Sequence, residues 1–238
     1  MINDALDLPA WRSALQRDGR VQVPDFLQAD AADRLRECLE RDVPWTLALR
    51  DGEGPRTLDA AAYGAMDEAA RMAMYARTAA SARGQAGDAG YRFAYDSYMM
   101  VSAYQQGRDP GLLLHRLLEV FNSPQYIAFA QALSGDARIR RVNAQATRYR
   151  PGQFLRRHTD IDSREGRLYA YVLNLAPHWE ADWGGLLQFI DDAGQVVDTF
   201  LPRANSLSLF AVPTGHAVSL VAPWAGNDRL AITGWWQL

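Results

Sequence analysis

The stretch Tyr149-Arg150-Pro151-Gly152-Gln153-Phe154-Leu155-Arg156-Arg157-His158-Thr159-Asp160 couples a turn signal to a short extended run that ends in His-x-Asp. Residues 155–158 read as a strand, and the period of two along an extended segment sends His158 and Asp160 to the same face. Both side chains can then touch one ion. Before the Pro-Gly punctuation, residues 139–149 alternate in the same way. Asn143, Gln145, Thr147 and Tyr149 share one face, and Val142, Ala144 and Ala146 share the other. Such a polar row fits either a cavity or a solvent face.

Outward from this stretch the C-terminal half keeps the period of two. Segments at 139–149, 155–158, 168–175, 186–190, 196–200, 206–210, 217–221 and 230–237 are separated by Gly, Pro, Asn and Asp clusters. Eight antiparallel strands of this kind suggest a jelly roll, that is, a cupin-like double-stranded β-helix.

His216 follows His158 by 58 residues, enough for several strands to return the chain beside the first pair. Two imidazoles and one carboxylate on one side of an ion leave the remaining positions open, the facial arrangement of non-haem iron(II) oxygenases. His158, Asp160 and His216 are therefore the candidate metal ligands. The strand beginning Arg229-Leu-Ala-Ile-Thr-Gly-Trp-Trp places Arg229, Ala231, Thr233 and Trp235 on one face. An inward guanidinium without an anion costs several kcal/mol, roughly the penalty of an unpaired buried charge, so it implies a carboxylate ligand. The planar fork suits bidentate pairing, and the Thr233 hydroxyl can add a bond to the same group.

The N-terminal half reads mainly as helix. A short strand at 20–23 precedes an amphipathic helix starting at Asp30, with Leu35, Cys38 and Leu39 inward. A break at 52–55 precedes a helix at 66–83. The Gly-rich run 84–90 has the composition of a connection or a mobile lid, residues 91–104 read as a strand, and helices follow at 111–122 and 124–133. The expectation is an α+β chain with a single domain over 1–238, in which 1–138 buttress a catalytic jelly roll at 139–238.

Composition narrows the function classes. Seven Trp and ten Tyr supply a large core, and a net charge of −3 with no basic block gives no reason to expect nucleic acid. The single Cys38 excludes multi-thiolate metal sites and internal disulfides, and it reads as a buried hydrophobe. No stretch approaches twenty apolar residues and the first nine carry acidic Asp4 and Asp7 in place of a basic region before an apolar run, so no membrane association and a cytoplasmic location are expected.

With these residues in place, the chain resembles the 2-oxoglutarate/iron(II) dioxygenase superfamily, especially its prolyl 4-hydroxylase-like branch. The resemblance rests on 149–160 and, in order, Tyr171-Val-Leu-Asn174, Trp183-Gly-Gly-Leu186, Pro202-Arg-Ala-Asn205, Phe210, His216-Ala-Val218 and Arg229 through Trp235. It covers roughly 139–238. It implies that His158, Asp160 and His216 bind Fe(II) and that Arg229 holds the distal carboxylate of 2-oxoglutarate with help from Tyr149 and Thr233.

The activity implied is oxidative decarboxylation of 2-oxoglutarate coupled to hydroxylation of a C–H bond in a protein or small molecule, with ascorbate as an accessory cofactor. Asp160 disfavours halogenation, since halogenases of this type lack that carboxylate. The connection from His216 to Arg229 is longer than in many relatives, with the excess at 222–228. Either Tyr171 or Asn174 can face the site. Trp235, Arg148, Arg157 and His178 are further candidates for substrate contact. The competing readings are a cupin-like metal enzyme that uses no 2-oxoglutarate and a non-catalytic jelly-roll binding module.

Overall fold

The structure, a computed structural model, describes residues 1–83, 91–162 and 164–238. The stretch 84–90, read above as a connection or lid, lies outside the described residues. The chain begins with α1 Leu8–Asp18, β1 Arg20–Val23, α2 Ala29–Arg41 and the hairpin of β2 Thr46–Asp51 with β3 Gly54–Leu58. It continues through α3 Ala60–Gly64, α4 Glu68–Ala80, β4 Phe93–Tyr98, α5 Met100–Gln105, α6 Leu113–Phe121 and α7 Pro124–Ser134. The strands β5 Arg141–Tyr149, β6 Phe154–His158, β7 Arg167–Asn174 and β8 Leu187–Ile190 follow. The last four are β9 Val196–Phe200, β10 Ser206–Ala211, β11 His216–Val218 and β12 Arg229–Gln237.

The eight C-terminal strands fall on the eight expected segments, because alternation and turn residues mark them together. The N-terminal half departs from expectation in three places. The segment 91–104 is a strand only to Tyr98 and then a helix, α5, whose Met100 and Ala103 bury against the sheet at a spacing of three. The break at 52–55 is the turn of the β2–β3 hairpin. Helix α1 carries the signals of a short helix that sequence reading passed over: Asp7 accepts from the Ala10 N–H, Pro9 lies in the first turn, and Gly19 closes the end at φ 68°. The first 138 residues thus supply strands to the sheet as well as helices to its outer face.

Antiparallel neighbours run β1, β10, β7, β12, β5, β4, β6, β11, β8, β9, with β2 and β3 attached beside β4. The two ends of this order nearly close on each other. Arg20 Nε reaches Asp198 Oδ2 at 2.6 Å, and Gln22 Nε2 donates to the Leu201 carbonyl at 2.8 Å. The result is a jelly roll with two distinct faces. On β12, Leu230, Ile232 and Trp236 pack outward with Val142, Ala144 and Ala146 of β5 against Leu35, Leu39, Leu114, Leu117 and Phe121 of the helices. Arg229, Thr233 and Trp235 point the other way, into a cavity. Gly234 is required where β12 crosses β5, since a Cβ there would stand 2.0 Å from the Asn143 carbonyl oxygen.

A second buried cluster ties the helices to the sheet. Asp96 of β4, fully buried, meets Arg148 Nη2 at 2.8 Å, Arg150 Nε at 3.1 Å, Gln153 Nε2 at 2.7 Å and the Tyr63 hydroxyl of α3 at 2.9 Å. Tyr149 sits between the two arginines in sequence and faces the cavity instead, so this cluster fixes the strand that delivers it. Removing one partner of a buried ionic cluster costs about 3–5 kcal/mol. Asp96→Ala is therefore expected to lower unfolding free energy by about that amount in urea titration; a loss under about 1 kcal/mol would show that the cluster does not anchor β4.

Candidate metal centre

Strands β6 and β11 are antiparallel neighbours, and His158 and His216 are direct cross-strand partners. That register closes the 58-residue separation. The ring centres lie 4.1 Å apart. Asp160 Oδ1 lies 3.3 Å from His158 Nε2, and Oδ2 lies 3.4 Å from His216 Nε2. The three ligand atoms thus converge on one point, and the group is the arrangement of His and carboxylate side chains able to hold a metal ion among the described residues.

The proximity of Asp160 is as expected, but the backbone that produces it is not. Strand β6 ends at His158, and Asp160 has φ 61°. A left-handed turn, which aspartate tolerates better than most residues, brings the carboxylate back between the imidazoles in place of strand alternation.

Each imidazole is oriented from behind. His158 Nδ1–H donates to the Arg156 carbonyl at 3.0 Å, and His216 Nδ1–H donates to the Thr214 carbonyl at 2.8 Å. Both carbonyls fix the ring orientation in which Nε2, the nitrogen that can ligate a metal, faces the Asp160 carboxylate. Tyr91 stacks on His158 with centres 4.7 Å apart and planes at 20°. Burial pushes the Asp160 carboxyl up, but the facing His158 and His216 outweigh it and hold the group well below the usual carboxylate range.

Arg229 opens on the same cavity, of about 170 Å³, as the triad. The residue is 1% exposed and its Nε has no hydrogen-bond partner. No carboxylate among the described residues pairs with it; the centre of the Tyr149 ring lies 5.1 Å from the guanidinium carbon. Burial lowers the Arg229 pKa, and it drives that of Tyr149 well above the ordinary value. Thr233 Oγ1 is also buried without a partner, while the Trp235 indole is directed to the Asp160 carboxylate and helps to hold it ionised. Arg229 Nε and Thr233 Oγ1, two buried polar atoms without partners on the inner face of β12, open on the same cavity as the His-Asp-His group, an arrangement that can receive an anion there.

The candidate residues divide cleanly. His158, Asp160, His216, Tyr149, Thr233, Arg229 and Trp235 all line the cavity, as does Gln145 from the polar row of β5. Arg148 is engaged by Asp96, Arg157 pairs with Asp192 at 3.5 Å, and exposed His178 faces Glu180 at 3.3 Å; none of the three lines it. Tyr171 borders the cavity but packs its ring outward on Phe121 and Trp236 and donates to the Asn143 carbonyl. Asn174 lies on the face of Ala170 and Val172, where its Nδ2 donates to Ser206 Oγ at 3.2 Å and Ser208 Oγ at 3.3 Å. The long connection at 222–228 packs Gly226 against Trp183, below the start of β12.

Sequence reading missed Tyr91, Tyr95 and Arg167 on the cavity wall. Tyr91, Phe93 and Tyr95 recur at a period of two and form a ring ladder that ends on Tyr149, with centres 5.7, 5.4 and 5.1 Å apart. That signal was available. Arg167 was not readable by alternation, because the β7–β12 register shifts beside it, between Trp236 and Gln237.

Residues 144–237 match the 2OG-Fe(II) oxygenase superfamily. The protein "Prolyl 3-hydroxylase OGFOD1" of Xenopus laevis is 40% identical over 83 residues, 32% of this chain and 16% of that protein. The matched segment thus spans about a sixth of that relative. A Pseudomonas putida prolyl-4-hydroxylase structure superposes with a TM-score of 0.59 at 22% identity, covering 97% of this chain and 98% of that one. A Trichoplax adhaerens prolyl hydroxylase in complex with a hypoxia inducible factor peptide fragment gives 0.55 at 17% identity, covering 97% and 88%. At these identities the structural likeness is one of fold.

Dialysis against Mn(II) followed by metal analysis is expected to give one ion per chain. His158→Ala or His216→Ala is expected to weaken retention by more than the roughly tenfold to hundredfold that losing an outer hydrogen bond costs. Undiminished retention in either variant would remove that histidine from the ligand set.

Proposed function

We propose, from the premise that segment 144–237 of this chain belongs to the 2OG-Fe(II) oxygenase superfamily, that the protein hydroxylates a C–H bond, with prolyl residues of a protein as the substrate class. The observation that carries the cosubstrate is the buried Arg229 guanidinium, with Nε unpartnered and no carboxylate among the described residues paired to it, inside the cavity that holds the triad. The prolyl assignment is supported by the 40% identity to a prolyl 3-hydroxylase over the matched segment, with a related small molecule as the remaining option.

His158, Asp160 and His216 would hold iron(II) through two Nε2 atoms and one carboxylate oxygen, all on one side of the ion. When bound with 2-oxoglutarate and dioxygen, the iron supplies the oxidation that converts the cosubstrate to succinate and carbon dioxide and a substrate C–H to C–OH. Around that chemistry the chain's own residues bind, orient and exclude water. Arg229 pairs its fork with the distal carboxylate, and Thr233 Oγ1, also unpartnered, donates to the same group. The Tyr149 hydroxyl remains protonated and therefore a donor, since burial raises its pKa. Leu155, Ala170, Val172, Leu187, Phe210 and Val218 complete the wall with apolar surface, which keeps water from the reacting groups.

The same reading includes ascorbate as the reductant that returns the ion to iron(II), and the cytoplasm as the compartment, in keeping with the free thiol of Cys38. A cupin-like enzyme without 2-oxoglutarate leaves Arg229 buried without an anion, and a non-catalytic module leaves the aimed Nε2 pair without use.

Succinate is expected to form from 2-oxoglutarate only with iron(II) and dioxygen present. Replacing Arg229 with Ala is expected to weaken cosubstrate binding by about a hundredfold or more, corresponding to about 3 kcal/mol for a lost buried charge partner. Unchanged cosubstrate affinity in the variant would refute the role given to Arg229.

A further inference from the structure

Arg167 is a charged residue of the cavity wall that neither the triad nor the Arg229 cradle accounts for. One face and all three nitrogens of its guanidinium are committed. Its carbon lies 3.6 Å from the centre of the Trp235 ring, a flat cation–indole stack. Nε and Nη2 lie 2.9 and 2.8 Å from Glu165 Oε2, an oxygen that also accepts from Gln237 Nε2 at 3.3 Å. Nη1 donates to the backbone carbonyl of Asp160 at 3.3 Å and stands 3.9 Å from Asp160 Oδ1.

The carbonyl it grips belongs to the residue with the unusual backbone. A non-glycine residue at φ 61° persists where its surroundings over-determine it. The Asp160 carboxylate faces the two imidazoles and the Trp235 indole, whereas the Arg167 contact to the Asp160 carbonyl acts on the backbone of the turn itself. We propose that Arg167 is a positioning residue for the metal centre. Clamped on Trp235 and Glu165, it presets the left-handed turn at Asp160 and so aims the carboxylate at the two Nε2 atoms before metal binds.

This rests on the triad being the metal site. Two other roles make different predictions. If Arg167 only staples the start of β7 to the end of β12, its loss lowers the melting temperature and leaves metal affinity alone. If it acts only as a charge, it competes with the ion for Asp160, and its loss tightens binding.

The test is Mn(II) affinity, read by electron paramagnetic resonance of free Mn(II) without cosubstrate, for the full chain, Arg167→Ala and Arg167→Lys. Lysine keeps the charge but has neither the planar face nor the fork. Both variants are expected to bind Mn(II) about tenfold to a hundredfold more weakly, the usual cost of losing a residue that orients a ligand. Equal affinity of Arg167→Lys and wild type overturns the proposal, as does equal or tighter binding by Arg167→Ala. Wild-type protein that binds no Mn(II) overturns the triad assignment itself, a result separate from any difference among variants. Near-UV circular dichroism checks folding, and if the alanine variant does not fold the lysine comparison alone decides.

Discussion

A buried guanidinium that no carboxylate among the described residues pairs with is the feature on which this fold is most constrained. Burying an ion costs several kcal/mol even after relaxation, and the cost is offset only by a partner of opposite charge. Arg229 is 1% exposed and its Nε is unpartnered, while the opposite face of β12 is an ordinary core surface. Leu230, Ile232 and Trp236 anchor its other face in the main apolar cluster, so the strand cannot turn Arg229 outward without exposing them. The helices on the outer face thus enforce the orientation of the charge on the inner one. That coupling makes an anionic ligand part of the structure's energetics as well as its chemistry.

The metal end of the cavity depends on backbone placement of a different kind. His158 and His216 are register partners on β6 and β11, so the jelly-roll topology alone sets their separation. Asp160 comes from beyond the end of β6 through a left-handed residue, and Gly185 permits a close approach near Arg229. At φ 62°, a Cβ on Gly185 would stand 2.9 Å from Trp179 and 3.2 Å from Arg229 Cδ. Strand pairing sets two ligands directly opposite each other, while the third ligand and the arginine rely on local turns and close packing. The site's softer coordinates therefore lie at Asp160 and Arg229.

Much of this was legible in the amino-acid sequence, for identifiable reasons. The eight C-terminal strands repeat a strict alternation between turn residues, and His158, His216, Arg229 and Thr233 were placed by that period. Asp160 was placed near the histidines through an alternation that its backbone does not follow. Long-range and local exceptions were not legible. Residues 99–105 leave the strand for a helix because Met100 and Ala103 find a buried surface on the sheet, which no local pattern announces. Arg167 reaches the cavity beside a register shift that alternation cannot contain. The Asp96 cluster joins residues up to 90 positions apart, so its ion pairs become visible only once β4 and β5 lie side by side.

The central claim is that Arg229 and the metal triad together bind one dicarboxylate. Calorimetry on the Mn(II)-loaded protein with 2-oxoglutarate and with 2-oxopentanoate tests it most directly, because the second ligand keeps the chelating end and chain length but lacks the distal carboxylate. The account predicts that 2-oxoglutarate binds at least about a hundredfold more tightly, about 3 kcal/mol for pairing the buried guanidinium. Equal affinities would contradict it.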